Sequence, residues 1–250
     1  MTSGPAITLY QFPASHYNEK ARWGLDLKRV PHERVSLLPG PHAPRMKRLT
    51  GRTETPALVD GDQVIAGSAA ILTHLERRFP EPALEPAAPE ARERAGAIVR
   101  RFDDEVGPAV RLAKFFEVMS GAYAVGTFCA HRSPLVKTLY RASFPLVGLV
   151  MKRSMGIDAA NAARGREITR QAFDFVAKEA GSAGYLVGDR FSVADLTCAA
   201  LLMPAVDVSD LGGPATADTE EERAWLARWA DHPGAAWVRE MYRRHRRGGG

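Results

Sequence analysis

Four prolines fall within residues 80–89, and the sequence has a different pattern on either side of them. Before this run, short apolar segments rich in β-formers alternate with segments of helical periodicity, in the order β-α-β-α-β-β-α. After it, the pattern is almost entirely helical. Because proline lacks a backbone N–H and interrupts regular structure, the run indicates a linker. The sequence therefore predicts an α/β unit over residues 1–82, with helices on the faces of a mixed sheet, and an all-helical unit over residues 90–247.

Periodicity and turn signals give the approximate bounds of each element. Strands are predicted at residues 7–12, 33–37, 57–60 and 63–66. The last two form a hairpin, because an Asp-Gly pair separates two apolar runs. Helices are predicted at residues 15–29, 42–49, 68–79, 90–120, 165–180, 192–202 and 220–246. Between residues 131 and 161 we expect Pro134 and Pro145 to break the helical pattern.

The composition excludes several classes of protein. Hydrophobic residues make up 45% and charged residues 25%, as in globular domains. The net charge of +5 is mild, and the arginines mostly alternate with acidic residues, which indicates a solvated surface and no nucleic-acid partner. The longest apolar stretch, Phe144–Met151, is far shorter than the roughly 20 residues that span a bilayer. Met1–Ala6 has no signal-peptide pattern, so we expect a cytoplasmic protein without a membrane partner.

The cysteines also limit the chemistry. Cys129 and Cys198 lie far apart, with no CxxC and no His/Cys spacing suited to zinc, so we expect neither a disulfide framework nor a metal site. Ser15 and Asn18 occupy the places where a redox protein with a thioredoxin fold would have two thiols. Dithiol redox chemistry is therefore excluded.

Ser15 is the candidate catalytic residue. It precedes the first predicted helix, where unpaired N–H groups and the positive end of the helix dipole accumulate. A hydroxyl there can donate to a thiolate, and such surroundings lower the pKa of a thiol by ~1–3 units from about 8.5. The alternative is that Ser15 only caps the helix. His16, which follows, is either a second hydrogen-bond donor to such a thiolate or a surface residue of the first turn.

Four segments together resemble the glutathione transferase superfamily. They are Leu9–Ser15 with the string Lys20-Ala21-Arg22-Trp23, then Glu54–Gly61, Ile65–Leu72 and Gly188–Asp195. The first is similar to the catalytic loop and first helix of the Ser- and Cys-type classes, such as tau and omega. The others are similar to the cis-proline turn, the start of the third helix and the C-terminal capping motif. The resemblance implies a thioredoxin-like N-terminal domain followed by an all-helical C-terminal domain.

The resemblance also implies roles for single residues. Ser15 would activate the thiol of glutathione. The main chain of Thr55, ahead of a cis bond to Pro56, would pair with the cysteinyl unit. Ser68 would bind the γ-glutamyl carboxylate at a helix N-terminus, and Arg45 would face the glycyl carboxylate unless it belongs to a solvated basic loop.

One position departs from the family pattern. The family usually has Glu or Asp immediately before the Ser of the third helix, and this chain has Gly67. That acid would contact the glutamyl amino group of glutathione. Its absence leaves two alternatives open: a non-catalytic binding protein that keeps the fold, and an enzyme that uses another low-molecular-weight thiol.

The function implied is that of a glutathione transferase-like enzyme whose thiolate attacks a small hydrophobic electrophile. Glutathione would be a co-substrate, with no other cofactor. A stripe of large side chains in the helical unit is either helix core or one wall of the electrophile pocket; its members are Phe115, Phe116, Met119 and Tyr123. The resemblance further implies a homodimer.

Overall fold

The computed structural model describes residues 7–246, so the predictions for residues 1–6 and 247 lie outside it. Its sheet has four strands, β1 (Ile7–Gln11), β2 (His32–Ser36), β3 (Ala57–Asp60) and β4 (Gln63–Ala66). Their order is β2-β1-β3-β4, with β1 and β2 parallel and the other neighbours antiparallel. In the register, Leu9 of β1 lies opposite Leu58 of β3, and both are fully buried. All four strands lie within one residue of their predicted bounds.

Three helices complete the first part of the chain. They are α1 (His16–Leu27), α2 (Ala43–Thr50) and α3 (Ser68–Arg78). Helices α1 and α3 pack against each other at Gly24, where an added Cβ would overlap Leu72 Cδ2. A larger residue would therefore force Leu72 aside. With these helices the order is βαβαββα, and the predicted thioredoxin-like domain is confirmed.

The second part is helical, as predicted. Its helices are α4 (Pro89–Arg101), α5 (Gly107–Val118), α6 (Gly121–Phe128), α7 (Pro134–Ser154), α8 (Ala159–Glu179), α9 (Val193–Leu202), α10 (Glu220–Ala227) and α11 (Pro233–His245). A π-helical segment, Phe102–Val106, joins α4 to α5, so the helix predicted over residues 90–120 has a wider turn inside it. The helix predicted over residues 220–246 is divided, because Pro233 opens α11 under a His232 cap.

The prediction that Pro145 breaks the helical pattern was wrong. Pro134 starts α7, and Pro145 lies inside its 21 residues. Proline deprives the carbonyl of Arg141, four residues earlier, of its helical hydrogen bond. Both Pro145 and Arg141 are exposed, so water can replace that bond and the helix continues.

The predicted capping motif at the start of α9 is present. The Asp195 carboxylate accepts hydrogen bonds from the Ser192 N–H (2.9 Å) and from the Leu186 N–H (2.8 Å). The Ser192 hydroxyl accepts in turn from the Ala194 N–H (3.3 Å). Because all these groups are buried, the box fixes the loop before α9 as well as the helix itself.

The two parts of the chain share one hydrophobic core. Trp23 of α1 is fully buried against Tyr242 of α11, and its Nε1–H donates to the His245 carbonyl (3.2 Å). The buried Glu19 carboxylate lies between two guanidinium groups, those of Arg22 and Arg246, each at 2.7 Å. Helix α1 is therefore tied to the helical part by packing, by a hydrogen bond and by an ion pair.

Residues 79–88 contain neither helix nor strand, in the place of the predicted linker. Because the core continues across it, the division into domains at residues 1–82 and 90–247 remains a proposal. No helix among residues 7–246 is both long and apolar enough to span a membrane.

Candidate active site

A cavity of about 740 Å³ lies between the sheet part and the helical part. Its lining comes from the start of α1, the segment before β3, and helices α5, α6 and α7. Ser15, His16 and Thr55 all line it, so the structure brings three of the predicted site residues together. The volume is typical of small-molecule sites, which are mostly between 300 and 1,000 Å³.

Ser15 stands at the N-terminus of α1 with an extended backbone (φ −82°, ψ 130°). Its N–H donates to the Phe12 carbonyl (3.1 Å), and its carbonyl accepts the Glu19 N–H (2.8 Å) and so starts the helix. Its side chain makes no capping hydrogen bond. The hydroxyl is therefore free to donate to a ligand in the cavity, and the prediction that Ser15 serves only as a cap has no support in the geometry.

His16 is buried, and the alternative that it is a surface residue was wrong. Its Nε2 lies 3.0 Å from the Gly107 carbonyl, which can only accept, so Nε2 carries the proton. Burial and the nearby Arg111 guanidinium lower the pKa of His16 to about 3. The ring is therefore neutral near pH 7. Its Nδ1 atom then accepts hydrogen bonds and does not donate them, so the geometry lends no support to His16 as a thiolate donor.

Thr55 presents a free main chain ahead of a cis bond. The Thr55–Pro56 peptide is cis, as predicted. Among residues 7–246, neither the N–H nor the carbonyl of Thr55 has a hydrogen-bond partner. Its side chain is held by α1, because Asn18 Nδ2 donates to Thr55 Oγ1 (3.0 Å). Asn18 is a positioning residue that the sequence did not reveal, since only its lack of a thiol was informative there.

Ser68 is the first residue of α3, buried and without a capping hydrogen bond. It is joined to the cis-proline turn, because the Gly67 N–H donates to the Pro56 carbonyl (2.9 Å). Ser68 and Pro56 are not among the residues that line the cavity, so their predicted contacts to glutathione remain predictions.

Gly67 has a backbone that explains its identity. Its φ of 92° with ψ of 144° lies in a region that is essentially restricted to glycine. An added Cβ would meet no atom within 4 Å, so the constraint is conformational and not one of space. The departure from the family's acidic residue therefore has a local structural reason in this chain.

Arg45 lies outside the cavity lining. It is exposed on α2, and its guanidinium stacks over the Tyr10 ring, 4.8 Å from the centroid. Its predicted contact with the glycyl carboxylate also remains a prediction.

The helical part supplies the apolar wall of the cavity. Of the predicted stripe, Phe115 and Tyr123 line the cavity, whereas Phe116 is exposed and Met119 packs near α6. The outer side is formed by α7 through an apolar set that the sequence did not identify, namely Leu146, Val147, Val150 and Met151. The Tyr140 hydroxyl holds α7 in place by donating to the Pro39 carbonyl (3.2 Å).

Two basic residues on α5 also reach the cavity, and neither was predicted. Lys114 forms an ion pair with the buried Glu222 (2.6 Å), whereas Arg111 has no ionic partner among residues 7–246. Arg111 precedes Phe115 by four residues and so shares its helix face, which is the signal that would have indicated it. In the part of the chain that the structure describes, no group of three or more His, Cys, Asp or Glu side chains is placed to hold a metal ion.

The fold and the cavity define a class: a thioredoxin-like sheet domain joined to a helical part, with a hydroxyl at the first helix and a cis-proline turn facing a shared cavity. Family comparison agrees with it. The family described as "Glutathione S-transferase, N-terminal domain" matches residues 9–83, and "Glutathione S-transferase, C-terminal domain" matches residues 159–232. The chain belongs to the glutathione S-transferase superfamily.

Individual relatives match over shorter stretches. A maleylpyruvate isomerase from Ralstonia sp is 34% identical over 105 residues, which are 41% of this chain and 50% of that protein. A zeta-class glutathione S-transferase from Euphorbia esula is 37% identical over 86 residues, 33% of this chain and 38% of that protein. The matches thus span half or less of these relatives' length.

Similar solved structures cover nearly the whole chain. A beta-etherase from Sphingobium sp. strain SYK-6 has a TM-score of 0.61 at 20% identity, over 95% of this chain and 100% of that one. At that identity the likeness shows the shared fold alone.

Proposed function

We propose that this protein is a glutathione-dependent enzyme in which Ser15 stabilises the thiolate of glutathione. The observation that carries the proposal is the Ser15 hydroxyl, which lies at the N-terminus of α1, lines the cavity and makes no capping bond. It can donate to a sulfur atom where the helix dipole also favours negative charge. The thiolate so formed would attack a small electrophile held against the helical wall.

Two further features support glutathione as the thiol. The unpaired main chain of Thr55 suits a strand-like pairing with the cysteinyl unit. The N–H groups at the start of α3, with Ser68, suit a carboxylate. Arg45 remains the candidate for the second carboxylate. Ser68 and Arg45 would accordingly contribute binding, whereas Ser15 would act on the reacting sulfur.

The type of reaction depends on the electrophile that the thiolate attacks and on the group that leaves. Transfer to an electrophile, cleavage of an ether and isomerisation through a transient adduct all begin with the same thiolate. The relatives named as a maleylpyruvate isomerase and a beta-etherase represent the last two. We propose the coarser activity, thiolate attack on a small electrophile, and a cytoplasmic site of action, which suits two free, buried cysteines.

The test compares two serines that both precede helices. Ser15→Ala should lower kcat with glutathione and a generic aryl halide by about 10- to 100-fold, the value of one charge-assisted hydrogen bond. Its stability should hardly change, because Ser15 makes no capping bond. Ser192→Ala should do the reverse: it loses about 1 kcal/mol of stability and keeps its kinetic constants, because Ser192 caps α9 away from the cavity.

Ser68→Ala separates binding from chemistry. It should weaken glutathione binding, measured by calorimetry, by about 10- to 100-fold while kcat at saturation stays near the wild-type value. Full activity of Ser15→Ala across pH 6–8 would refute the catalytic role of Ser15.

A second candidate, favoured by Gly67, is a binding protein or an enzyme with another thiol. If the wild-type protein binds glutathione without turning over any electrophile, it is a binding protein. If it does not react with glutathione but reacts with a different small thiol, glutathione as co-substrate is refuted and the proposed role of Ser15 still stands.

A further inference from the structure

Arg111 is a charged group in the cavity wall, and the described residues give it no oppositely charged partner. Among residues 7–246 it forms no ion pair and no hydrogen bond, and its Nε atom is buried without an acceptor. The Tyr17 ring lies beside it, 6.0 Å from the guanidinium carbon. Burial lowers the pKa of Arg111, and no carboxylate offsets that effect.

The neighbouring charges do not neutralise Arg111. Lys114, nearly one turn further along α5, is already paired with Glu222. Glu54, the one carboxylate among the residues described as lining the cavity, is exposed and accepts the Thr53 N–H (3.0 Å). His16 is neutral. The cavity therefore contains a positive charge that residues 7–246 leave uncompensated.

Arg111 is half-buried, and a charge that is partly removed from water in a folded protein is ordinarily paired, because losing its hydration is costly. A guanidinium offers donors in a planar fork that matches a carboxylate with two parallel hydrogen bonds. We propose that Arg111 binds a carboxylate of the second substrate, so that the electrophile is a small anion with an apolar body. The substrate class assigned in this way rests on the proposed function.

The position of Arg111 indicates the electrophile and not glutathione. The groups proposed for the carboxylates of glutathione, at the start of α3 and on α2, belong to the sheet part. Arg111 belongs to the helical part, on the same face of α5 as Phe115. A carboxylate on Arg111 would therefore set the apolar body of its molecule against Phe115 and the facing Leu146 and Val147 of α7.

Binding without any thiol tests the site directly. Calorimetry would compare 3-nitrobenzoate with its neutral isostere 3-nitrobenzamide, on wild type and on three variants. Wild type should prefer the carboxylate by about 10- to 100-fold, Arg111→Met should lose the preference, and Arg111→Lys should keep part of it. The control Arg101→Met removes an exposed arginine that stacks on Phe175, outside the cavity lining, and should keep the preference in full. Absence of a preference in wild type, or its survival in Arg111→Met, would overturn the proposal.

Turnover distinguishes this proposal from the one on which it rests. With 4-chloro-3-nitrobenzoate, a bond forms between the glutathione sulfur and the ring carbon, chloride leaves with its bonding pair, and the thiol proton goes to solvent. The ratio of kcat/KM for this substrate over its benzamide analogue should fall about 10- to 100-fold in Arg111→Met. The pKa of bound glutathione, read from thiolate absorbance, should not change; a rise would mean that Arg111 serves the thiolate and would overturn the assignment. Carboxylate binding without any turnover would refute the enzyme and leave the Arg111 site standing.

Discussion

Replacing Asp103 by asparagine would leave the Lys20 ammonium buried without its counter-charge. Lys20 belongs to α1, five residues after Ser15, and its side chain is fully buried. Its Nζ donates to both carboxylate oxygens of Asp103, at 2.7 and 2.8 Å. Asp103 lies in the π-helical segment, and its carbonyl also accepts the Tyr17 hydroxyl (2.6 Å). One residue thus holds the first turns of α1 against the helical part.

The magnitude follows from the burial. Removing one partner of a buried ion pair ordinarily costs 3–5 kcal/mol, because the other charge is left uncompensated. Asp103 is 15% exposed and the Asp104 charge remains nearby, so we expect the lower end, about 3 kcal/mol. For a protein of this size each kcal/mol lowers Tm by about 2–4 °C, so the midpoint should fall by about 6–12 °C.

Urea unfolding and calorimetry at pH 7 would measure this change in Asp103→Asn. The double variant Lys20→Met, Asp103→Asn is the matched control, because it removes the charge that would be stranded. It should lie within about 1 kcal/mol of wild type, since replacing both charges of a buried pair is often neutral. An Asp103→Asn protein as stable as wild type, or a double variant less stable than the single one, would refute the reasoning.

Three other predictions concern the site and the assembly. Because of backbone strain, Gly67→Asp and Gly67→Ala should each lower the free energy of unfolding in urea by about 1–3 kcal/mol. Only Gly67→Asp should bind glutathione more tightly than wild type. Equal glutathione affinity of the two variants would show that the missing acid does not limit binding. As pH falls below 6.5, His16 takes up a proton in the unfolded state, whereas in the folded state it stays neutral down to about pH 3. Wild type should therefore lose up to about 1.4 kcal/mol of stability per pH unit between pH 6.5 and 3, a slope that His16→Gln lacks; an unchanged slope would identify another group. Light scattering at micromolar concentration should give twice the subunit mass, and a single subunit mass would exclude the homodimer.

Local signals in the sequence were sufficient for the sheet and most helices. Alternation and the Asp-Gly turn located β3 and β4 exactly, because a hairpin is specified by neighbouring residues. The continuous helix through Pro145 was missed, because its survival depends on the solvent exposure of that turn. The π-helical segment was missed as well. Its Asp103 contacts Tyr17 and Lys20 of α1, and these long-range contacts do not alter the hydrophobic periodicity of the sequence.

The site was predictable where it rests on the main chain and on helix ends. Ser15 and Thr55 could be found because they stand at fixed places beside a helix start and a proline. Asn18 could not, because it acts through Thr55, a partner 37 residues away in sequence. The spacing of Arg111 and Phe115 could have placed Arg111 on the helix face that lines the cavity, but its lack of an acceptor is visible only in the fold. The cover that α7 gives to the cavity depends on the contact of Tyr140 with a loop that lies 101 residues earlier.

The ion pair between Arg246 and Glu19 can form only late in the synthesis of the protein. The two residues are 227 positions apart, and ribosomes add about 5–20 residues per second, so roughly 11–45 s separate their synthesis. During that interval Arg22, on the same helix, is the one counter-ion of Glu19 among the described residues. Trp23 stacks on Phe191, which is made earlier, and Tyr242 then adds a second ring contact. The helix that presents Ser15 is thus among the first to be made, and its ion pair with Arg246 and its ring contact with Tyr242 are among the last of its contacts to form.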